Sequence, residues 1–142
     1  MRTLLLALLS LAFAACQRPP ASAVIDQFGT YQSLDGNMSL DISRAGQSRV
    51  AFQLKTTGKG AHIEFSDIVG SDAKPWCFYW DVKNRLWVYG SDTGYFAVIF
   101  CGAQGFEKAD ATTEPLRSEC PQVVEDFLPS VLKRRPMVIH TP

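Results

Sequence analysis

From residue 28 the chain alternates apolar and polar positions with a period of two. Phe28 to Ser33 (FGTYQS) reads as a first strand, closed by the turn signal Asp35-Gly36-Asn37. Met38, Leu40 and Ile42 then alternate with Ser39, Asp41 and Ser43. After a turn at 44–48, Val50, Phe52 and Leu54 alternate with Ala51, Gln53 and Lys55. A further turn at 57–60 leads to Ile63 and Phe65, interleaved with His62 and Glu64. Alternation of this kind predicts antiparallel strands with one buried and one wet face.

The stretch from Trp76 to Cys101 departs from that pattern. Its 26 residues hold nine of the sixteen aromatics and all three tryptophans. Turn signals at 82–84 and 91–94 divide it into a meander of strands 76–81, 85–89 and 94–101. Symmetric turns place Phe78 opposite Val88 and Trp80 opposite Leu86, with Phe96 and Val98 extending that face. The reverse face then carries Cys77, Tyr79, Trp87, Tyr89, Tyr95, Ala97 and Ile99. Both faces are apolar, so two layers are needed to cover this sheet.

One cover is predicted downstream. Residues 102–119 are polar and turn-rich, and Cys120-Pro121 opens a helical pattern in which Val123, Val124, Phe127, Leu128, Val131 and Leu132 form one stripe. Pro121 suits a first turn, and Pro129 predicts a kink or split. Lys133, Arg134 and Arg135 fall where a helix C-terminus favours cations. The expected fold is α+β: a curved antiparallel sheet meander of about seven strands with the C-terminal helix packed on it. A small closed β-barrel is the alternative, because Phe28-Gly29-Thr30-Tyr31 followed by a meander resembles the opening of lipocalin-like domains.

The first residues, MRTLLLALLSLAFAACQRPP, are a different kind of segment. Arg2 precedes an apolar run from Leu4 to Ala14 that is too short to span a bilayer and ends in small residues. Phe13-Ala14-Ala15-Cys16 resembles the lipobox of bacterial lipoproteins, with Phe13 where that family favours Leu. The resemblance implies a signal peptide at 1–15 and acylation of Cys16 as the first mature residue. In a Gram-negative envelope, Gln17 in the next position implies the outer membrane. Ala12-Phe13-Ala14 also fits ordinary signal-peptidase cleavage, which would make the protein a soluble secreted one. Pro19 and Pro20 suit an extended tether. The resulting layout is a signal peptide at 1–15, a lipidated Cys and tether at 16–25, and a single globular domain at 26–142.

Loss of Arg2 with the leader leaves thirteen basic residues against fourteen acidic ones, so nothing in the charge balance suits a polyanion and nucleic acid is not an expected partner. Three cysteines remain, which in an oxidising compartment predicts one disulfide and one spare thiol. In the expected register Cys77 aligns with Tyr95 rather than Cys101, making a Cys77–Cys101 bridge too long. Cys101–Cys120 would pin the helix to the sheet edge and is the expected pair, leaving Cys77 as a small buried hydrophobe.

Candidate chemistry is sparse. Asp92-Thr93-Gly94 matches the D-T-G of aspartic proteases, but Gly90 and Ser91 stand where that family has apolar residues and a turn explains the triplet. His62-x-Glu64 points two ligand types to one strand face with Asp67 nearby, yet zinc needs more ligands and the other histidine, His140, lies in the tail. DVKNRLWVYGSDTG resembles one hairpin of the propeller repeats of bacterial sensor proteins; a single copy cannot close a propeller. No catalytic residue, metal or cofactor is expected. The feature with functional promise is the aromatic face. Tyr79, Trp87, Tyr89 and Tyr95 should be covered at their centre by the helix, leaving an open rim of rings with Arg85.

The functional expectation is a membrane-anchored envelope lipoprotein, held by lipid on Cys16 at the periplasmic face of the outer membrane. It would act as a non-enzymatic protein-binding module, of inhibitor or immunity type. A lipocalin-like small-ligand carrier is the alternative, and a hydrolase a remote one.

Overall fold

A computed structural model describes residues 23–133. The leader, Cys16, the start of the tether and His140 lie outside the described residues. Eight strands form two four-stranded antiparallel sheets, each joined in simple sequence order. The first sheet comprises β1 (Gly29–Gln32), β2 (Met38–Ala45), β3 (Arg49–Thr56) and β4 (Glu64–Ser71). The second comprises β5 (Trp76–Trp80), β6 (Leu86–Gly90), β7 (Tyr95–Gly102) and β8 (Gly105–Asp110). A 3-10 turn at Leu116–Glu119 and one short helix, α1 (Gln122–Phe127), follow. The expected single curved sheet of seven strands under a C-terminal helix is therefore overturned, and the sheets do not close into a barrel.

The molecule has three layers. The inner face of the first sheet is built by alternation: Leu40 pairs with Leu54 and Ile42 with Phe52. That face packs on Phe78, Trp80, Leu86, Val88 and Ile99 of the second sheet to form one core. Phe52 and Phe78 meet edge to face across it, ring centroids 5.1 Å apart. The reverse face of the second sheet carries Cys77, Trp87, Tyr89, Phe96 and Val98, and is covered by Ala111, Cys120, Val124 and Leu128. Burying large aromatics on both faces of one sheet is the dominant favourable term here, at roughly 1.5–3 kcal/mol per fully buried side chain.

The break into two sheets depends on close contact between strands distant in sequence. β4 carries a bulge: Val50 pairs with Gly70 and Ala51 with Ile68, so Val69 is the extra residue. Its side chain is fully buried. Val69 lies directly against Gly90 of β6, where an added Cβ would sit 2.5 Å from Val69 Cγ1 and 2.6 Å from its carbonyl oxygen. Only glycine permits that approach. Beside it the Thr93 hydroxyl donates to the Val69 carbonyl (2.6 Å) and the Ser71 amide donates to Asp92 (2.9 Å). The D-T-G triplet is thus a latch between the two sheets.

Three further expectations are corrected. The pairing of β5 with β6 is as the turn signals predict, with Phe78 opposite Val88 and Trp80 opposite Leu86. The next hairpin is displaced by one residue. Tyr89 pairs with Phe96 and Gly90 with Tyr95, because the loop spans all four residues 91–94 and ends on Gly94 at φ +66°. A slip of one reverses the faces of a whole strand. Phe96 and Val98 therefore join the C-terminal layer, while Tyr95 and Ile99 face the first sheet. The stretch after Cys101 holds β8, an edge strand whose Glu107 and Lys108 keep it polar, rather than only loops.

The helix is also shorter than its stripe. Leu128 precedes Pro129 and caps α1 in an extended conformation, as a residue before proline prefers. Val131 is 86% exposed, so the buried contact narrows to Val124 and Leu128. Arg117 anchors the segment instead: it contacts the buried Glu125 carboxylate at 2.5 Å and the Leu132 carbonyl, with its guanidinium over the Phe96 ring.

The Gly90–Val69 approach makes a sharp test. Gly90→Ala should cost about 1–3 kcal/mol by overpacking. Gly58→Ala, with open space around it, should change stability by less than about 0.5 kcal/mol. Urea unfolding of the two variants beside the parent checks both; equal midpoints would mean that this contact does not hold the sheets.

Candidate functional site

The most organised polar structure lies at the tip of the β5–β6 hairpin. Asp81 follows the last residue of β5 and is only 5% exposed. Its Oδ1 accepts the amides of Lys83 (2.9 Å) and Arg85 (3.0 Å). Its Oδ2 accepts Arg85 Nε–H (2.8 Å) and the indole Nε1–H of Trp87 (2.9 Å). Four donors on one carboxylate satisfy a charge that would be costly to bury alone. The backbone closes the turn with Asp81 N–H to the Arg85 carbonyl and Asn84 N–H to the Asp81 carbonyl. Asn84 takes the left-handed conformation, φ +60°, which asparagine tolerates better than most residues.

The tip is tied to its surroundings on two sides. Asn84 Nδ2–H donates to Asp35 Oδ2 (2.8 Å) in the β1–β2 turn of the other sheet. Burial alone would raise the Asp35 carboxyl, but hydrogen bonds from Asn37, Ser33 and Asn84 hold it below the usual range. On the other side, Glu119 Oε2 receives both Arg85 Nη1 (2.8 Å) and Lys83 Nζ (2.9 Å). Hydrogen bonds from Lys83 and then Arg85 hold Glu119 below its ordinary value. Burial works to lower the Arg85 pKa, and bonds to Asp81 and Glu119 more than offset it. The guanidinium also lies 5.6 Å from the centroid of the Trp87 ring.

These groups line an open recess of about 290 Å³, walled by Tyr79, Arg85, Lys83, Glu119 and Pro121. At its lip Val82 points outward, 90% exposed, from a turn that the Asp81 bonds keep fixed.

The sequence-predicted residues do not form one patch. Tyr79 and Arg85 line this recess. Trp87 and Tyr89 are fully buried under the C-terminal layer, Trp87 supporting the site from beneath through Asp81. Tyr95 faces the other way, where its hydroxyl donates to Asp67 of β4 (2.8 Å). Lys108 Nζ reaches the same carboxylate (2.8 Å) and sits 5.2 Å from the Tyr95 ring centroid. Burial raises the Tyr95 pKa first, with the Asp67 bond adding to it. This trio is a polar tie between the sheets.

Asp81, Val82, Lys83 and Glu119 were not singled out as functional from the sequence. An Asp followed by a turn is a known Asx signal that could have marked the first. Glu119 comes from the 3-10 turn, 36 positions along the chain from Lys83, and carries no local signal.

The other candidates resolve structurally. Asp92 is held by the Ser71 amide. His62 lies exposed in the irregular approach to β4, and Glu64 pairs with Lys55 and Gln53. Among the described residues no group of three or more His, Cys, Asp or Glu is arranged to hold a metal ion. Cys101 and Cys120 are not bridged. Cys101 is exposed on β7 on the face shared by Ile99, whereas Cys120 is buried on the opposite side of the sheet. No family model, curated protein or solved structure matches this chain.

Two measurements address the tip. Asp81→Ala removes the acceptor for the buried Trp87 indole and for two turn amides, while Arg85 keeps Glu119, so it should cost about 1–3 kcal/mol in denaturant unfolding. The Glu119 pKa is lowered, so its stabilising contribution is complete above the unfolded value near 4.3 and is lost as pH falls through the folded value. The Glu119 side-chain resonances should titrate below pH 4.3 in the parent and shift up towards that value in Lys83→Met. Identical titrations in both proteins would exclude the clamp.

Proposed function

We propose that this chain is an envelope lipoprotein that acts as a non-enzymatic protein-binding module, with the β5–β6 tip as its contact point. The observation that carries the reading is Val82. A side chain 90% exposed on a loop braced by a buried carboxylate costs little further ordering on binding. Tyr79 and Arg85 beside it are residue types enriched at interface hot spots. The clamp of Lys83 and Arg85 on Glu119 leaves the surrounding surface close to neutral, which suits a protein surface better than a polyanion. An inhibitor-like or immunity-like role is consistent with a fixed protruding tip of this kind.

The anchor is the second half of the proposal. The lipobox-like residues 13–16 support acylation of Cys16 and residence at the periplasmic face of the outer membrane.

A photo-crosslinking residue at position 82, in cells producing the full chain, should capture a discrete envelope protein, and Tyr79→Ala should abolish the capture. The same residue at position 59, on the exposed 57–60 turn, should not. Equal capture from both positions, or none from either, would defeat the tip as a binding site. Intact mass of the chain extracted from membranes should show a diacyl or triacyl adduct on a mature chain that begins at Cys16. An unmodified mature chain starting at Ala15 would make it a soluble secreted protein.

A further inference from the structure

We infer that Cys77 and Cys120 are the disulfide site of this chain, a buried dithiol that closes between β5 and the segment entering α1 when a disulfide donor acts on the folding protein. The inference is independent of the protein-binding reading and needs only a compartment that supplies such a donor.

The argument is one of placement. Cys77 lies on the face of β5 that turns toward the C-terminal layer. Cys120 stands between the 3-10 turn and α1, the helix that packs against β5. Both are in the same buried cluster as Trp87, Phe96 and Val124, at 1% and 4% exposure. The remaining cysteine is on the wrong side. Cys101 shares the opposite face of the second sheet with Ile99 and is exposed, so the sheet itself separates it from the other two. The one-residue shift at the β6–β7 loop is what moves the pairing, because it turns Cys101 away from the C-terminal layer.

The chemistry is thiol–disulfide exchange. The thiolate of one cysteine attacks a donor disulfide R–S–S–R, releasing one R–SH and forming a mixed disulfide. The second thiolate then displaces the remaining R–SH, leaving Cys77–S–S–Cys120. The two cysteines are oxidised by two electrons, the donor is reduced to two thiols, and the two protons lost from the cysteines are carried by those thiols. Placement also sets the timing. Burial, and next the neighbouring Cys120, push the Cys77 thiol up to about 12, so little thiolate exists once the layers have closed. Exchange belongs to the open chain, and the finished bond is then shielded from reductants.

The test is refolding of the mature chain from denaturant in a mixture of reduced and oxidised glutathione, followed by alkylation and a non-reducing peptide map. A linked Cys77–Cys120 peptide with Cys101 alkylated is expected, and Cys101→Ser should give the same link. The reduced native protein in the same mixture should form the link at least about ten times more slowly. The linked form closes a loop of about 40 residues and should melt about 10 °C or more above the reduced form. Cys77→Ser/Cys120→Ser should fold and lose that dependence on reductant. A link that involves Cys101, or three alkylated cysteines after refolding, would overturn the proposal. A native protein that oxidises as fast as the refolding chain would overturn its timing.

Discussion

The structure depends on a sheet that cannot tolerate water on either face. β5, β6 and β7 place Phe78, Trp80, Leu86 and Val88 on one side and Trp87, Tyr89, Phe96 and Val98 on the other. Each side needs its own cover, and the chain supplies them from opposite ends: β1–β4 before the sheet and residues 111–132 after it. The order of the elements follows. The central layer is the middle of the sequence, and the two outer layers are its flanks.

Polar groups do the joining at the rims. Where sheet meets sheet, Asp67 gathers Tyr95 and Lys108, and Asp92 caps the end of β4. Where sheet meets C-terminal segment, Asp81 and Glu119 hold Arg85 between them. Burial would lift the Asp67 carboxyl, but bonds from Lys108 and Tyr95 hold it below its ordinary value, so the charged form is the one the fold selects. Each of these carboxylates closes a seam, and only the Asp81–Glu119 seam also braces an exposed apolar tip.

Much of this was legible along the chain, for a physical reason. β2 and β3 are half-buried and must alternate, and their pattern marks them. The β5–β6 register is legible because a strong turn separates two dense apolar runs. What stayed hidden depends on contacts distant in sequence. No local signal tells that the chain changes sheets at residues 72–75; Gly90 and Val69 decide that, and glycine there reads as an ordinary strand end. β8 sits on an edge, and its exposed Glu107 and Lys108 resemble a loop. The loop before Tyr95 takes in Gly94, where the expected strand began, and that one residue reverses β7. At the site, Tyr79 and Arg85 were legible from residue type. Trp87 and Tyr89 have the same chemistry but a different fate, because exposure is set by the layer above them.

The first described contact of the N-terminal segment has a mechanical side. Ile25 exchanges two backbone hydrogen bonds of 2.8 Å with Phe78 at the free edge of β5. Any pull on the chain ahead of residue 23 therefore meets the central layer before it can peel β1. Two bonds to a largely buried strand act as a strain relief, so tension entering from the N-terminal side would be borne by the central layer. Were Cys16 to carry the proposed lipid, nine chain steps would lie between it and that clip, an outstretched reach of about 30 Å. Under the proposed anchor, load on the domain would enter through β5 rather than through β1.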